Sequence, residues 1–518
     1  MKISSTISRN MQVNGNGTAT IFGGRQHSWS QFGERIAKLA AGLRNLGLER
    51  GDRVAVLSLN NDRYMESYFG VPWGGHVLVP INTRLAPPEV VFWLNDSGAT
   101  VLMVDDAFVP MLPKIQDQLE SVKHVVFLGD GPAPQGMLSF EGLLEGSSAM
   151  AAVESSSEDL AILLYTGGTT GRSKGVMLSQ HNVLFNALQF APTVGYRSNS
   201  VYLHAAPMFH IADGTCTYAI ATAAGSSVII PGFEPEAALR AVQDHQVSVT
   251  LWVPTMVNMA VYFPGVEKFD LSSLVDMMYG ASPMPEAVVR RAMEVMPNTR
   301  FHHAYGQTEA APILTLLDPA RHVPDTPTGK LGSCGQAIMG VQLKILDEDD
   351  NELPAGEVGE LCARGDNVML GYWQQPEMTA QAMRNGWLHT GDGARMDDEG
   401  FVYIVDRVKD MIISGGENVY SAEVEDAIYQ HVAVAECAVI GIPHEKWGEE
   451  VHAIIRLHGG QEADEQAIID HCHALIAAFK CPRSIEFSTG PLPLSGAGKI
   501  LKAQLRAPYW EGQEKDVH

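Results

Sequence analysis

The chain of 518 residues carries 60 acidic against 36 basic side chains, a formal net charge of −24, with 45% hydrophobic and 19% charged residues. That length exceeds what one core keeps organised, so two or more domains are expected, and the balance is globular rather than disordered. So acidic a balance argues against nucleic acid or an anionic membrane surface as partners, since both need basic patches.

In chain order, Met1 to Val13 is polar and has no signal-peptide core. Apolar residues from Phe32 to Leu46 keep helical spacing and stop at Gly47. Runs at Arg53–Leu59, Val77–Ile81, Val101–Val104 and Val125–Leu128 read as strands, with a helix opened by prolines from Pro88 to Asn95. Strands alternating with helices imply an α/β layer built on a parallel sheet. The longest apolar stretch, Tyr218 to Ile230, is broken by Gly225, Ser226 and Ser227 and is too short to span a bilayer.

The segment Tyr165-Thr166-Gly167-Gly168-Thr169-Thr170-Gly171-Arg172-Ser173-Lys174-Gly175 follows an apolar run. Glycines free to turn their N–H groups inward, hydroxyls and one lysine suit a polyphosphate, with an ordinary surface loop as the alternative. It is not a Walker A loop, because Gly171 is followed by Arg172. A helix from Leu178 to Phe190 follows, then His210 between Phe209 and the small-residue stretch Ile211 to Ala224, which either lines a pocket or fills a core.

A second α/β unit has a helix from Pro235, strands at Ser248–Val253 and Val275–Tyr279, and small residues Gly280-Ala281-Ser282 just past a strand end. Open α/β sheets bind ligands at that place. Tyr305-Gly306-Gln307-Thr308-Glu309 supplies a ring, a glycine, a hydroxyl and a carboxylate in five positions. Beyond Lys330, short alternating strands suggest a β subdomain, in which Gly391-Asp392 places a carboxylate after a tight turn. Asp406-Arg407-Val408-Lys409-Asp410 reads as a joint before Ser414-Gly415-Gly416, and the last hundred residues have their own α+β pattern ending in Gly498-Lys499. The six cysteines include no C-x-x-C pair and fit reduced thiols; His471-Cys472-His473 point different ways on a helix and are not read as metal ligands. A cytoplasmic protein is the expectation.

Together, these segments resemble in order the signatures of the AMP-forming adenylating enzymes, the superfamily of acyl-CoA synthetases, carrier-loading adenylation domains and firefly luciferase. Gly167 and Ser173 depart from the usual serine and proline of its glycine loop. The resemblance implies a large N-terminal domain (1–405) of layered α/β subdomains plus a β subdomain, a hinge (406–410) turning at Lys409, and a small mobile α+β C-terminal domain (411–518). It implies that Thr166, Gly167, Gly168, Thr169, Thr170, Gly171 and Lys174 hold ATP phosphates and that Thr308 touches the α-phosphate. Glu309, with Thr170, would hold Mg²⁺. Tyr305 and Gly306 would pack on adenine beside Gly280 and Ala281, Asp392 would bind the ribose, and Arg407 would add charge. Lys499 would act in adenylation, His210 would gate acid and thiol, and Ser414, Gly415, Gly416 and Trp447 would line the CoA passage. The implied activity is AMP-forming ligation of an apolar acid, fatty or aryl, to CoA, with carrier-protein loading as the alternative. No carrier domain follows Lys499, which favours CoA, and a homodimer is compatible with the resemblance.

Overall fold

The computed structural model describes residues 1–166, 173–282, 284–323, 329–407, 411–414, 417–444, 447–495 and 499–511. The glycine-loop tip 167–172, the proposed pivot Lys409 and Gly415-Gly416 lie outside the described residues.

The expected parallel sheets are both present. In one, eight strands include a parallel set of Val77–Pro80, Arg53–Leu57, Ala99–Val104 and His124–Phe127, extended by the antiparallel pair Leu160–Thr166 and Lys174–Ser179. In the other, nine strands include Val201–His204, Val249–Trp252, Asp276–Gly280 and Arg300–Gly306 as parallel neighbours. β-branched and apolar runs fill these strands because both faces are covered.

The helix Asp62–Trp73 is buried on every side, capped by Asn61, whose side chain accepts from Tyr64 N–H. It packs on the helix Trp29–Asn45 through Phe32 and Phe69 (ring centroids 5.7 Å) and on Ile211–Ala223 through Tyr68 and Tyr218 (5.8 Å). Residues from both sheets thus share one apolar core. Ile211–Ala223 is almost wholly buried, so core filling decides most of that small-residue stretch. The segment read only as polar at the N-terminus is a helix, Ile3–Asn14, which buries Ile3 and Ile7 and donates from Asn10 Nδ2 to Ala221 O at 2.7 Å.

A third sheet pairs Val341–Leu346, Val358–Gly365, Trp387–Met396 and Val402–Arg407 antiparallel. The fourth contains Ile412–Ser414, Val434–His444, Gly448–Leu457 and Ser484–Phe487 and has separate small cores. It meets the larger part through Arg84 Nη1 donating to Ser495 O at 2.7 Å and through the Tyr262 and His458 rings, 5.6 Å apart.

A charge network braces the first half. Arg35 pairs with Glu66 and with Glu141 at 2.8 Å, and Arg63 reaches Glu141 at 2.9 Å. Burial pushes the Glu66 carboxyl up to about 7 despite the Arg35 charge. Removing one partner of a buried pair strands the other, so Arg35→Ala is expected to cost about 3–5 kcal/mol in denaturant unfolding. The Arg35→Ala/Glu66→Leu double variant should recover a large part of it.

Candidate active site

The glycine loop is the tip of a hairpin: Thr166 ends one strand and pairs with Lys174, the first residue of the next. Its base is anchored by residues that no sequence motif marked. The Tyr165 hydroxyl donates to Asp96, the Tyr165 ring stacks on Trp93 (5.0 Å), and Trp373 N–H donates to Gly175 O at 2.7 Å. Lys174 Nζ stands 5.1 Å from the centre of the Tyr372 ring, and the Tyr372 hydroxyl donates to Glu309 Oε1 at 2.9 Å. The hairpin is thereby tied to the Thr308–Glu309 turn.

Gly280 and Ala281 sit at the end of Asp276–Gly280, with Gly280 opposite Ala304. Both have positive φ, +158° and +68°. A Cβ on Gly280 would meet Ala304 O at 1.9 Å, and one on Gly306 would meet Pro312 O at 1.8 Å, so glycine is required where these backbones touch. Thr308 is buried, and Tyr305 donates its hydroxyl to Asp392 Oδ2 at 2.7 Å.

Asp392 does not follow a simple turn; it lies within the ten-residue strand Trp387–Met396, at a register break. Arg407 pairs with Asp392 through the backbone ladder; its side chain is outside the described residues.

His210 caps the helix Ile211–Ala223, its Nδ1 accepting from Ala212 N–H at 3.3 Å. Burial, helped by the positive charge of Lys499, holds its imidazole down at about 3, so it is neutral at working pH. The same influence brings Lys499 of the C-terminal unit within electrostatic reach of His210 in the N-terminal one. Its loop is closed by Lys499 N–H to Ser495 Oγ (3.1 Å) and Ser495 N–H to Lys499 O (2.6 Å).

Ser414 is elsewhere, buried and paired with Gly448, beside Trp447; the Arg483 guanidinium lies 4.9 Å from the Trp447 ring centre. Lys499 and the Ser414–Trp447 group are thus separate features of one unit.

Two tempting clusters are structural. His204 joins Asp213 (2.7 Å) and Ser227 (3.3 Å) in a triad-like row, but all three are 0% exposed and no substrate can reach them. His471 Nε2 lies 3.1 Å from Ala427 O, the bond of a helix-packing histidine.

Layered α/β sheets, a β subdomain and a small α+β C-terminal unit define an AMP-forming adenylating enzyme, a ligase of the acyl-CoA synthetase type. The chain belongs to the AMP-binding enzyme family, which it matches over residues 7–373, with the AMP-binding enzyme C-terminal domain over 423–499. It is 36% identical over 505 residues to a feruloyl-CoA synthase from an Amycolatopsis species, covering 97% of this chain and 98% of that one. It is 33% identical to the fatty acid–[acyl-carrier-protein] ligase ScoC of Streptomyces coeruleorubidus, covering 96% and 95%. Among solved structures, the anthranilate CoA ligase AuaEII in complex with anthranoyl-AMP superposes with a TM-score of 0.92 at 30% identity, covering 98% and 97%. Among the described residues no helix is long and apolar enough to cross a membrane.

Behind the Tyr305 wall, His303 stacks on Tyr279 (4.7 Å) and His322 Nε2 lies 3.0 Å from the Tyr279 hydroxyl. Burial holds both imidazoles down at about 4. Unfolded histidines protonate near about 6.5, so between there and 4 the unfolded state takes up protons that the folded state refuses, and stability falls as pH falls. The thermal midpoint should drop from pH 7 to pH 5, and His303→Gln should shrink that drop.

Proposed function

We propose that this enzyme activates an apolar carboxylic acid, fatty or aryl, as its acyl-adenylate and passes the acyl group to CoA. The observation that supports the reading is that Lys499 of the C-terminal unit is near enough to His210 for its charge to act on the imidazole.

A carboxylate is a poor acyl donor, since its leaving group would be oxide. Its attack on the α-phosphate of ATP releases pyrophosphate and makes AMP the leaving group. Lys499 stabilises the negative charge shared by carboxylate and α-phosphate oxygens in that step. Thr308 donates to the α-phosphate, Lys174 and the loop 166–171 hold the outgoing phosphates, and Tyr305 and Gly306 flank adenine with Gly280 and Ala281. Asp392 accepts from the ribose hydroxyls, with Arg407 adding charge close by.

Glu309 is a hard oxygen donor with one oxygen fixed by Tyr372, a fit for a hard cation. Glu309 and Thr170 would hold Mg²⁺, which when bound offsets phosphate charge. Neutral His210 gates the acid and then the thiol. For thioester formation the C-terminal unit turns about Lys409, withdrawing Lys499 and bringing Ser414, Gly415 and Gly416 to the pantetheine path, with Trp447 and Arg483 towards the CoA nucleotide.

An apolar acid is favoured over an amino acid by the fate of Glu234. Its carboxylate is exposed and caps the helix Pro235–His245, accepting from Glu236 and Ala237 N–H groups, which gives it a structural task at the surface. Similarity to the carrier-protein ligase ScoC supports a second reading in which the acceptor is a phosphopantetheinyl carrier.

Lys499→Ala should reduce acid-dependent ATP–pyrophosphate exchange by at least about 10²-fold while sparing thioester formation from preformed adenylate. Undiminished exchange would refute the role. A panel of fatty, cinnamic and benzoic acids, assayed for AMP release with CoA against holo-carrier protein, identifies both acid and acceptor; activity with amino acids alone would overturn the apolar assignment.

A further inference from the structure

We propose that Glu360 is the positioning residue for Asp392, its carboxylate rather than a metal ion organising the Cys362–His389 cluster behind the nucleotide site. The inference rests on the reading of Asp392 as the ribose-binding carboxylate.

The strands Val358–Gly365 and Trp387–Met396 run antiparallel with Glu360 opposite Gly393 and Cys362 opposite His389. Only Leu361 then stands against Thr390, Gly391 and Asp392, so the longer strand bulges there and Gly391 takes φ +72°. A bulge leaves ladder groups without partners and re-aims a side chain. Here side chains tie three of those groups. Glu360 Oε1 accepts from Gly391 N–H at 2.9 Å, and Thr390 Oγ1 donates to Leu361 O at 2.7 Å and accepts from Asp392 N–H at 3.1 Å. The other Glu360 oxygen lies 2.8 Å from His389 Nδ1. One carboxylate therefore spans the bulge from its first residue to its tip, and Asp392 emerges next, buried and held by the Tyr305 hydroxyl.

Glu360, Cys362 and His389 also offer donor atoms within 4.8 Å of one another, as a zinc site would. Two observations favour the carboxylate over an ion. His389 Nδ1, the atom a metal would need, already faces Glu360 at 2.8 Å and Cys362 Sγ at 3.2 Å. Arg384 Nη2 stands 3.5 Å from the same Glu360 oxygen and supplies its counter-charge. His389 Nε2, 3.8 Å from Asp350, makes no hydrogen bond among the described residues, so Glu360 is the partner that orients the ring.

Gly391 is exposed, so water can replace Glu360 at its N–H and the turn loosens without unfolding. The test is pyrophosphate exchange with ATP, 2′-deoxy-ATP and 3′-deoxy-ATP for wild type, Asp392→Ala, Glu360→Ala and Glu360→Gln. The ratio of kcat/KM values reports ribose recognition and does not move with the fraction of folded enzyme. Asp392→Ala should abolish the preference for ATP. Glu360→Ala should lower it about 10-fold, mainly through KM for ATP. Glu360→Gln, which keeps an oxygen for Gly391 but turns an amide towards His389, should lie between. A wild-type preference in both Glu360 variants, with the preference lost in Asp392→Ala, would overturn the proposal and leave the ribose reading standing. Preference retained in Asp392→Ala would overturn the ribose reading and this proposal with it. Stoichiometric zinc in the purified wild type, lost in Glu360→Gln, would overturn the proposal in favour of a metal site.

Discussion

One charge acting across a seam, that of Lys499 on His210, is the interaction on which the proposed site depends. A chain with a net charge of −24 repels a nucleoside triphosphate at long range, so positive charge has to be delivered locally. Lys174 is built into the first sheet, whereas Lys499 stands on a unit with its own cores. A charge carried by a separate body can be present for one reaction step and absent for the next, which a residue in a continuous core cannot be.

The remaining site residues are paired across boundaries in the same manner. Tyr305 belongs to the nine-stranded sheet and Asp392 to the β subdomain, and their hydrogen bond joins them. Glu309 follows the nine-stranded sheet's strand Arg300–Gly306, while its partner Tyr372 lies in a short strand added to the eight-stranded sheet beside Lys174–Ser179. Each of these seams is thus closed by polar side chains of complementary type, which fixes the geometry across it.

The contact between the C-terminal unit and the rest differs in kind. Within the large part, Phe32, Phe69, Tyr68 and Tyr218 interlock in a continuous apolar core. Across to the C-terminal unit, the contacts among the described residues include Arg84 with Ser495, Glu286 N–H with Asp426, and the Tyr262 and His458 rings. Its apolar clusters contain residues of that unit alone. A joint made of polar and edge contacts opens at far less cost than a shared core, which is the mechanical requirement of the proposed turn about Lys409.

The sequence by itself determined the parallel sheets, the small C-terminal unit and the identity of nearly every candidate residue. Those features are local: alternating apolar runs fix strands, and short ordered motifs such as Tyr305–Glu309 carry their chemistry within five positions. It missed the N-terminal helix, whose apolar side, Ile3 and Ile7, is too sparse to stand out until a neighbouring helix covers it. It also read Asp392 as following a turn, because a bulge in a long strand is defined by the partner strand and leaves no local mark. Only the tertiary structure decided which residues serve the site from behind: Asp96 under Tyr165, Tyr372 against Glu309, and Glu360 beneath Gly391. Each acts across 31 to 69 residues of chain, a separation over which spacing carries no signal and only the packing of separate strands and helices brings the two ends together.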